Sequence, residues 1–281
     1  MRKIIWCVVI VCIAVSATAQ ELYVSTEPAS NMATGSIGIR FNSKLYDMKY
    51  KSGYALRLDP EIMFGVSKKI MIHLNAYASN MYQQNVRFEG ASVYVKYRFY
   101  SNDDVHSHFR MAAFGKISLI NNPTELQIGN KFYGSDEIDI DGNNSGALTG
   151  IVATQLLHKL ALSSSVYFLD RFDNLNDSKI PGQSDKAMNY TLSAGYLLLP
   201  KKYTNFRQTN FNLYCEFLSS TSLDKKAYYI DAAPAVQFIF NSISRLDLSY
   251  RWQLTGSMER LSEKYFLLRF EYNLLNVFKK G

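Results

Sequence analysis

Charged residues recur at every second position in several segments that are otherwise rich in apolar residues. In one such segment Arg57, Asp59 and Glu61 alternate with leucine, proline and isoleucine. A side-chain period of two is typical of a β-strand with one polar and one apolar face. If the apolar faces contact lipid, the polar faces line a common lumen. The predicted lumen-lining set comprises Arg57, Asp59, Glu61, His73, Lys96, Arg98, Arg110, Lys116, Glu216, Asp231, Asp247, Arg251, Arg269 and Glu271.

The positive and negative charges of this set nearly balance. A pore selective for one sign of ion would carry rings of that sign, and none is evident. Balanced charges are expected to form ion pairs that tie the wall together, or to line a hydrated path. Two interpretations therefore stay open: a narrow channel for a small solute, and a lumen closed by side chains or loops. Glu216 is expected to face the lumen, where water can hydrate it.

Two clusters have residue types that can bind metal. Residues 136–145 are acidic and partly match the first half of a calcium loop, but Leu148 occupies the position that needs glutamate. A solvated acidic loop is therefore expected there. His106 and His108 form an H-x-H pair without an assignable third ligand. The sequence predicts no metal site and no cofactor.

Catalytic residues are not apparent either. The four histidines are His73, His106, His108 and His158, and no GxSxG motif is present. One class of enzyme, the outer-membrane phospholipases, can use a barrel of about twelve strands. Such an enzyme would need serine and histidine on the outer face of the barrel, near its extracellular rim. His73 is expected inside and the others in turns, so we predict that the chain is not an enzyme.

The elements that position these residues are predicted to be β-strands. Alternation over residues 35–275 predicts an all-β fold, an antiparallel transmembrane β-barrel of about 12 strands. Pro60 and Pro234 have no backbone N–H to donate to a neighbouring strand, so they are expected at a bulge or near a membrane edge. Links alternate in length, and the long ones at 121–143 and 170–185 are predicted to be extracellular. The alternative is a soluble β-sandwich or lipocalin-like barrel, which fits poorly because the polar face also carries large aromatic residues.

The first 19 residues have the pattern of a secretory signal peptide. Arg2 and Lys3 precede an apolar run, and Ala17-Thr18-Ala19 forms a cleavage site. Residues 20–34 are predicted to be an N-terminal periplasmic segment and residues 276–281 a C-terminal tail. Cleavage would remove two of the three cysteines, leaving Cys215, so no disulfide framework is expected. The formal charge of +7 would fall by two, and no dense basic patch suggests nucleic-acid binding.

The signal peptide, the segment Glu27-Pro28-Ala29-Ser30-Asn31-Met32 and the last strand, Phe266–Tyr272, resemble outer-membrane β-barrel proteins of the Bacteroidetes type. The layout is also similar to the barrel family named for the phenol meta-pathway, whose members are presumed transporters. The resemblance implies location in the cell outer membrane, contact with outer-membrane lipid and insertion by the barrel-insertion machinery. It names no partner protein. The chain departs from the usual aromatic C-terminus, because it ends in Lys279-Lys280-Gly281.

Overall fold

A computed structural model describes residues 23–104, 107–200 and 207–278. The predicted signal peptide and the end of the predicted tail lie outside these residues. Twelve strands form a closed antiparallel barrel, which confirms the predicted fold class. They are β1 (Ile37–Met48), β2 (Tyr54–Gly65), β3 (Ile70–Ser79), β4 (Arg87–Asp103), β5 (Ser107–Ile120), β8 (Gly146–Leu157), β9 (Leu160–Arg171), β10 (Lys186–Leu199), β11 (Asn210–Ser222), β12 (Tyr228–Phe240), β13 (Ser244–Gly256) and β14 (Ser262–Leu274). The described residues contain no helix that is long and apolar enough to span a membrane.

Each strand pairs with its neighbours in the chain, and β1 closes the barrel by pairing with β14, from Ile37 opposite Leu274 to Met48 opposite Ser262. We call the end where β1 begins and β14 finishes the lower end. The links at 66–69, 158–159 and 241–243 lie there, as do the end of β4 with the start of β5 and the end of β10 with the start of β11. The other end, the upper end, has the two longest links, at 121–145 and 172–185.

Both prolines predicted to disturb the barrel interrupt one ladder without shifting its register. Pro60 pairs with Phe41 of β1, while the β2–β3 ladder skips from Leu58 to Glu61. Pro234 likewise pairs with Cys215 of β11, while the β12–β13 ladder skips from Ala232 to Ala235. Both prolines lie inside their strands and neither is at a bulge, so the expectation of a bulge or an edge position is wrong. The missing N–H interrupts the ladder on one side only, and the pairing on the other side continues.

The two faces of the strands differ as the alternation predicts. On β2, Ile62 is 44% exposed on the outer surface, whereas Arg57, Asp59 and Glu61 are buried inside the barrel. The same division holds on β11, where Leu213 and Phe217 point out and Glu216 is buried. The exterior is an apolar surface of large side chains, and the interior is a polar core.

The N-terminal segment is arranged differently from the prediction that placed residues 20–34 in the periplasm. Its described part enters the barrel at the lower end, where Gly35 N–H donates to the Gly65 carbonyl at 2.7 Å. Gly65 leaves room for the chain, because a Cβ there would lie 2.1 Å from the Ala33 carbonyl oxygen. Tyr23, Val24 and Ala29 are buried inside. Alternation cannot reveal this, because the segment is not a strand and its partners lie far away in the sequence.

The longest upper link also folds inward. Residues 121–145 include a small hairpin, β6 (Leu126–Ile128) and β7 (Lys131–Tyr133), which sequence reasoning missed. The ring of Tyr133 stacks on Tyr50 with centroids 4.1 Å apart, and Leu126 packs near Met48. The link therefore crosses the upper opening, from β5 towards the β1–β2 turn.

Candidate functional site: a chamber inside the barrel

The N-terminal segment forms a floor across the lumen, which we define as residues 23–34. The Glu216 carboxylate, on β11, accepts the backbone N–H groups of Val24 at 2.9 Å, Ser25 at 2.7 Å and Thr26 at 3.0 Å. The hydroxyl of Thr26 donates to it as well, at 2.9 Å. Glu216 is fully buried, so its charge is stabilised by these donors rather than by bulk water. The expectation that Glu216 is hydrated is therefore wrong.

Basic wall residues hold the rest of the floor. Lys96 donates to the carbonyls of Pro28 and Ser30, both at 2.7 Å, and Arg40 pairs with Glu27 at 2.6 Å. Burial alone would raise the pKa of Glu27, but Arg40 and Lys96 outweigh it and hold the pKa well below its usual value. On the far side of the lumen, Ala29 N–H donates to the Thr154 hydroxyl at 2.9 Å.

The inward part of the upper link, residues 135–144, forms a ceiling above the floor. Ile138 and Ile140 are buried against Leu169 and Ala187, which anchors the ceiling to β9 and β10. Ser118 donates to the Ile140 carbonyl at 2.6 Å. The ceiling is thus held by a small apolar contact together with polar contacts to the wall.

Acidic residues of the ceiling pair with basic residues of the barrel. Arg57 contacts Asp139 at 3.1 Å, Arg260 pairs with Glu137 at 3.0 Å, and Lys116 pairs with Asp141. The predicted solvated acidic loop is therefore correct only in part: Asp141 is exposed, but all three carboxylates pair with buried or lumen-facing cations. Among residues 23–104, 107–200 and 207–278, no three His, Cys, Asp or Glu side chains form a group that could hold a metal ion.

Gly142 fits the ceiling tightly against the wall. Its φ is +121°, and a Cβ would lie 2.8 Å from the guanidinium carbon of Arg57. The amide of Asn122 donates to the Gly142 carbonyl at 2.6 Å. A glycine is needed here for both the backbone conformation and the close approach to Arg57.

Between floor and ceiling lies a chamber of about 280 Å³. Six basic and six acidic side chains of the described residues line it. They are Arg40, Lys44, Lys116, Arg251, Arg260 and Arg269, with Glu27, Asp59, Glu61, Glu137, Asp139 and Asp141. Tyrosines including Tyr46, Tyr94 and Tyr265 form much of the remaining lining.

Ion pairs link the chamber wall from strand to strand. Arg40 pairs with Glu61 at 3.0 Å and with Glu271 at 2.8 Å, and Lys44 pairs with Asp59 at 2.8 Å. These contacts join β14, β1 and β2, the strands at which the barrel closes. Buried charges are tolerated in such a place when they are paired and hydrogen-bonded.

A second cationic group lies on the β12–β14 side. Asp231 accepts from Arg251 at 2.6 Å and from Arg260 at 2.9 Å. The guanidinium carbon of Arg260 lies 4.0 Å from the ring centroid of Tyr229, within the range of a cation–π interaction.

The residues predicted to line the lumen occupy three kinds of place. Asp59, Glu61, His73, Lys116, Arg251 and Arg269 line the chamber. Arg57, Lys96, Glu216, Asp231, Asp247 and Glu271 are buried in the interior and hold the floor, the ceiling or neighbouring wall residues. Arg98 and Arg110 instead lie towards the lower rim: Arg98 donates to the Lys68 carbonyl at 2.7 Å, and Arg110 pairs with Asp103 at 2.8 Å. A bulge between Arg98 and Tyr100 marks this end of β4.

Sequence reasoning missed several residues of the site. Arg40 and Lys44 alternate with outward Phe41 and Leu45, so the same period of two could have found them. Glu27, Glu137 and Arg260 carry no such signal, because they lie in the floor, the ceiling and the β13–β14 link. Their roles depend on contacts that only the folded barrel creates.

The three histidines that the structure describes are separated from one another. His73 is buried inside, with Nδ1 hydrogen-bonded to Glu61, and its ring centroid lies 4.8 Å from that of Tyr94. His108 contacts Asp103 at 3.0 Å near the lower rim, and His158 occupies the β8–β9 turn. His106 lies outside the described residues.

The comparisons with known proteins match the fold. No protein-family model and no curated protein match the sequence. Among solved structures, the COG4313 outer membrane channel from Pseudomonas putida F1 is similar with a TM-score of 0.57 and 10% identity, covering 90% of this chain and 100% of that one. The NanC porin is similar with a TM-score of 0.50 and 9% identity, covering 85% and 100%. The chain therefore has the fold of outer-membrane β-barrel channels.

Proposed function

We propose that this protein is an outer-membrane channel for small polar solutes, and that its own N-terminal segment closes the lumen at rest. In this proposal the apolar exterior contacts outer-membrane lipid, and the lower end faces the periplasm. Export would use the predicted signal peptide, and insertion would use the barrel-insertion machinery. The finer sequence resemblance, to Bacteroidetes barrels and to the phenol meta-pathway family, is compatible with this function and stays a prediction.

The observation that carries the proposal is the polar chamber between floor and ceiling. Hydrogen bonds and ion pairs to Glu216, Lys96 and Arg40 hold the floor, together with the apolar packing of Tyr23 and Val24 against the wall. Water can replace the polar contacts one by one when the segment moves, so the small apolar contact is the part that opening must expose. A lumen lined by paired charges can also be hydrated, as a solute pathway requires.

The second candidate is an accessory barrel whose lumen stays closed while it supports a partner complex or the envelope. It is favoured by the full burial of Glu216 and Arg57. If the floor left Glu216, or the ceiling left Arg57, a buried charge would lose its partners. In that case floor and ceiling would be permanent parts of the core.

Planar-bilayer conductance separates the two candidates. The floor-release variant combines Glu216→Gln with Lys96→Met, and its matched control combines Glu263→Gln with Lys264→Met on the upper part of β14, where the side chains are exposed. We expect rare openings for wild type and control and at least a tenfold greater open time for the floor-release variant. No conductance from either variant, in protein shown to be folded by heat-modifiable gel migration, would favour the accessory barrel.

A further inference from the structure

The charges that line the chamber have partners within the protein. Each of the six basic and six acidic side chains has an ion-pair partner among the described residues. A solute with a net charge would have to break one of these pairs, or remain unpaired in a confined space. The lining therefore disfavours ions as ligands.

Two polar atoms of ionisable side chains in the lining differ from this pattern, and the amide oxygen of Asn189 is a further lining atom without a hydrogen-bond partner in the described part of the chain. Asp59 Oδ1 and His73 Nε2 have no hydrogen-bond partner among the described residues, although each residue is about 98% buried by the surrounding protein. Lys44 occupies only the other oxygen of Asp59, and Glu61 occupies only Nδ1 of His73. Buried polar atoms are nearly always hydrogen-bonded, so both atoms mark places where a ligand can supply the missing bond once a neighbouring lining side chain moves to admit it.

The chemistry of the two atoms narrows the ligand class. Asp59 Oδ1 accepts a hydrogen bond, and His73 Nε2 accepts in the neutral ring and donates in the protonated ring. A hydroxyl group both donates and accepts, so it can satisfy either atom in either state. A carboxylate cannot donate to Asp59, and an ammonium cannot accept from a protonated His73.

We infer that the chamber binds a neutral, hydroxyl-rich solute of about monosaccharide size. The volume of about 280 Å³ lies just below the range of ~300–1,000 Å³ typical of small-ligand sites. Tyr94 packs beside His73, and Tyr46 and Tyr265 are also part of the lining, so aromatic surface is available for the apolar faces of a sugar ring. The inference rests on the proposed function for the route by which the solute enters.

Equilibrium dialysis of the full mature protein in detergent tests the inference. The probes are radiolabelled D-glucose, with glycine, acetate and methylammonium as zwitterionic, anionic and cationic comparisons. We expect saturable binding of one glucose per chain, and at least tenfold weaker binding of the three charged probes. His73→Phe should weaken glucose binding at least tenfold, because it removes Nε2 while Glu61 keeps its pair with Arg40.

Matched controls carry the same substitutions outside the chamber. His108→Phe removes a histidine paired with Asp103 near the lower rim, and Asp224→Leu changes an exposed upper turn. Both should bind glucose as wild type does. Asp59→Leu is the second chamber variant, because leucine has no polar atom to replace Oδ1, and it decides the question if His73→Phe does not fold.

The inference is overturned if a charged probe binds more tightly than glucose, if glucose does not bind, or if folded chamber variants bind it normally. Bilayer conductance of the same preparation separates this result from the proposed function. Conductance without glucose binding would support the proposed channel and contradict the proposed class of solute. Glucose binding without conductance would support the binding site and contradict transport through the barrel.

Discussion

Glu216 and Val24 are 192 residues apart in the chain and meet inside the barrel, where the Val24 N–H donates to the Glu216 carboxylate at 2.9 Å. With Ser25 and Thr26, Val24 gives this buried carboxylate three backbone donors. Backbone donors are independent of side-chain identity, so these three contacts depend on the path of the floor, whereas the Thr26 hydroxyl adds a contact that depends on the residue type. Glu216 is therefore the main anchor of the floor on β11.

Replacing Glu216 with glutamine should loosen the floor locally. A hydrogen bond to a charged group contributes about 1.5–3 kcal/mol, and glutamine keeps only one acceptor oxygen and no charge. We expect the amides of Val24, Ser25 and Thr26 to exchange with deuterium roughly 10–100 times faster, which is that free energy converted at about 1.4 kcal/mol per factor of ten. Hydrogen exchange measured by mass spectrometry checks this, with Glu263→Gln as the control. Unchanged protection of the three amides would contradict the anchoring role.

The outward face of β11 gives a test of membrane contact. Leu213 is 42% exposed on the exterior, so Leu213→Arg should cost about 2–4 kcal/mol if it lies near the midplane of a bilayer. Leu223→Arg is the control, because Leu223 is also exposed but lies in the upper β11–β12 turn. Urea titration of folding into lipid vesicles measures both. Equal costs for the two variants would place the apolar exterior outside a membrane.

The strands were predictable and the contents of the lumen were not. The predicted barrel of about 12 strands within residues 35–275 corresponds to twelve barrel strands between Ile37 and Leu274 in the structure. A side-chain period of two shows which face of each strand is apolar. Once the sheet closes with that face outside, the polar face must line the interior of the barrel. It carries no information about non-strand segments, so the floor and the ceiling escaped prediction. Their contacts join residues such as Glu27 and Arg40, or Glu137 and Arg260, whose meeting depends on the path of the loops.

Epitope insertions test which end is outside the cell. Gly129 and Gly182 lie at tips of the two long upper links, each with positive φ and no atom within 4 Å of a built Cβ, so an inserted peptide has space there. With the upper end outside, both epitopes should be detected on intact cells. An insertion between Asn241 and Ser242, in a lower turn, is the control and should be detected only after the outer membrane is permeabilised. The opposite pattern would invert the proposed orientation.

Acid should release the floor. The pKa of Glu27 is held below its usual value of 4.5, and that of Asp141 in the ceiling is lowered from 3.8 to about 2, by neighbouring cations that outweigh burial. A carboxyl group with a lowered pKa stabilises the folded arrangement above its ordinary pKa, and this contribution is lost as the pH falls through the lower value. We therefore expect the open time in planar bilayers to be constant near neutral pH and to rise between about pH 4.5 and pH 2.

Glu27→Gln provides the comparison for this pH dependence. Glutamine cannot pair with Arg40 as an anion, so the variant should already open more at pH 7 and should respond less to acid. Glu263→Gln should follow the wild-type curve, since the Glu263 side chain is exposed and pairs with Lys49 on the upper rim at 3.4 Å. A wild-type open time that falls on acidification would show that Glu27 and Asp141 do not hold the closed state.

Neutralising two arginines of the chamber tests whether ions pass through it. Arg251 and Arg269 both line the chamber and pair with Asp231 at 2.6 Å and Asp247 at 4.0 Å. Replacing both with glutamine removes two positive charges, leaves the acidic side in excess, and should shift the reversal potential in a KCl gradient towards cation selectivity. The control variant has glutamine at Lys49 and Lys264, both on the exposed upper rim. It loses the same charge and should shift the reversal potential much less.

Breaking a buried pair costs about 3–5 kcal/mol, so the free energy of unfolding of the double arginine variant should also fall. A loss of stability with conductance still near zero would mean that these arginines belong to a closed wall rather than to a hydrated path.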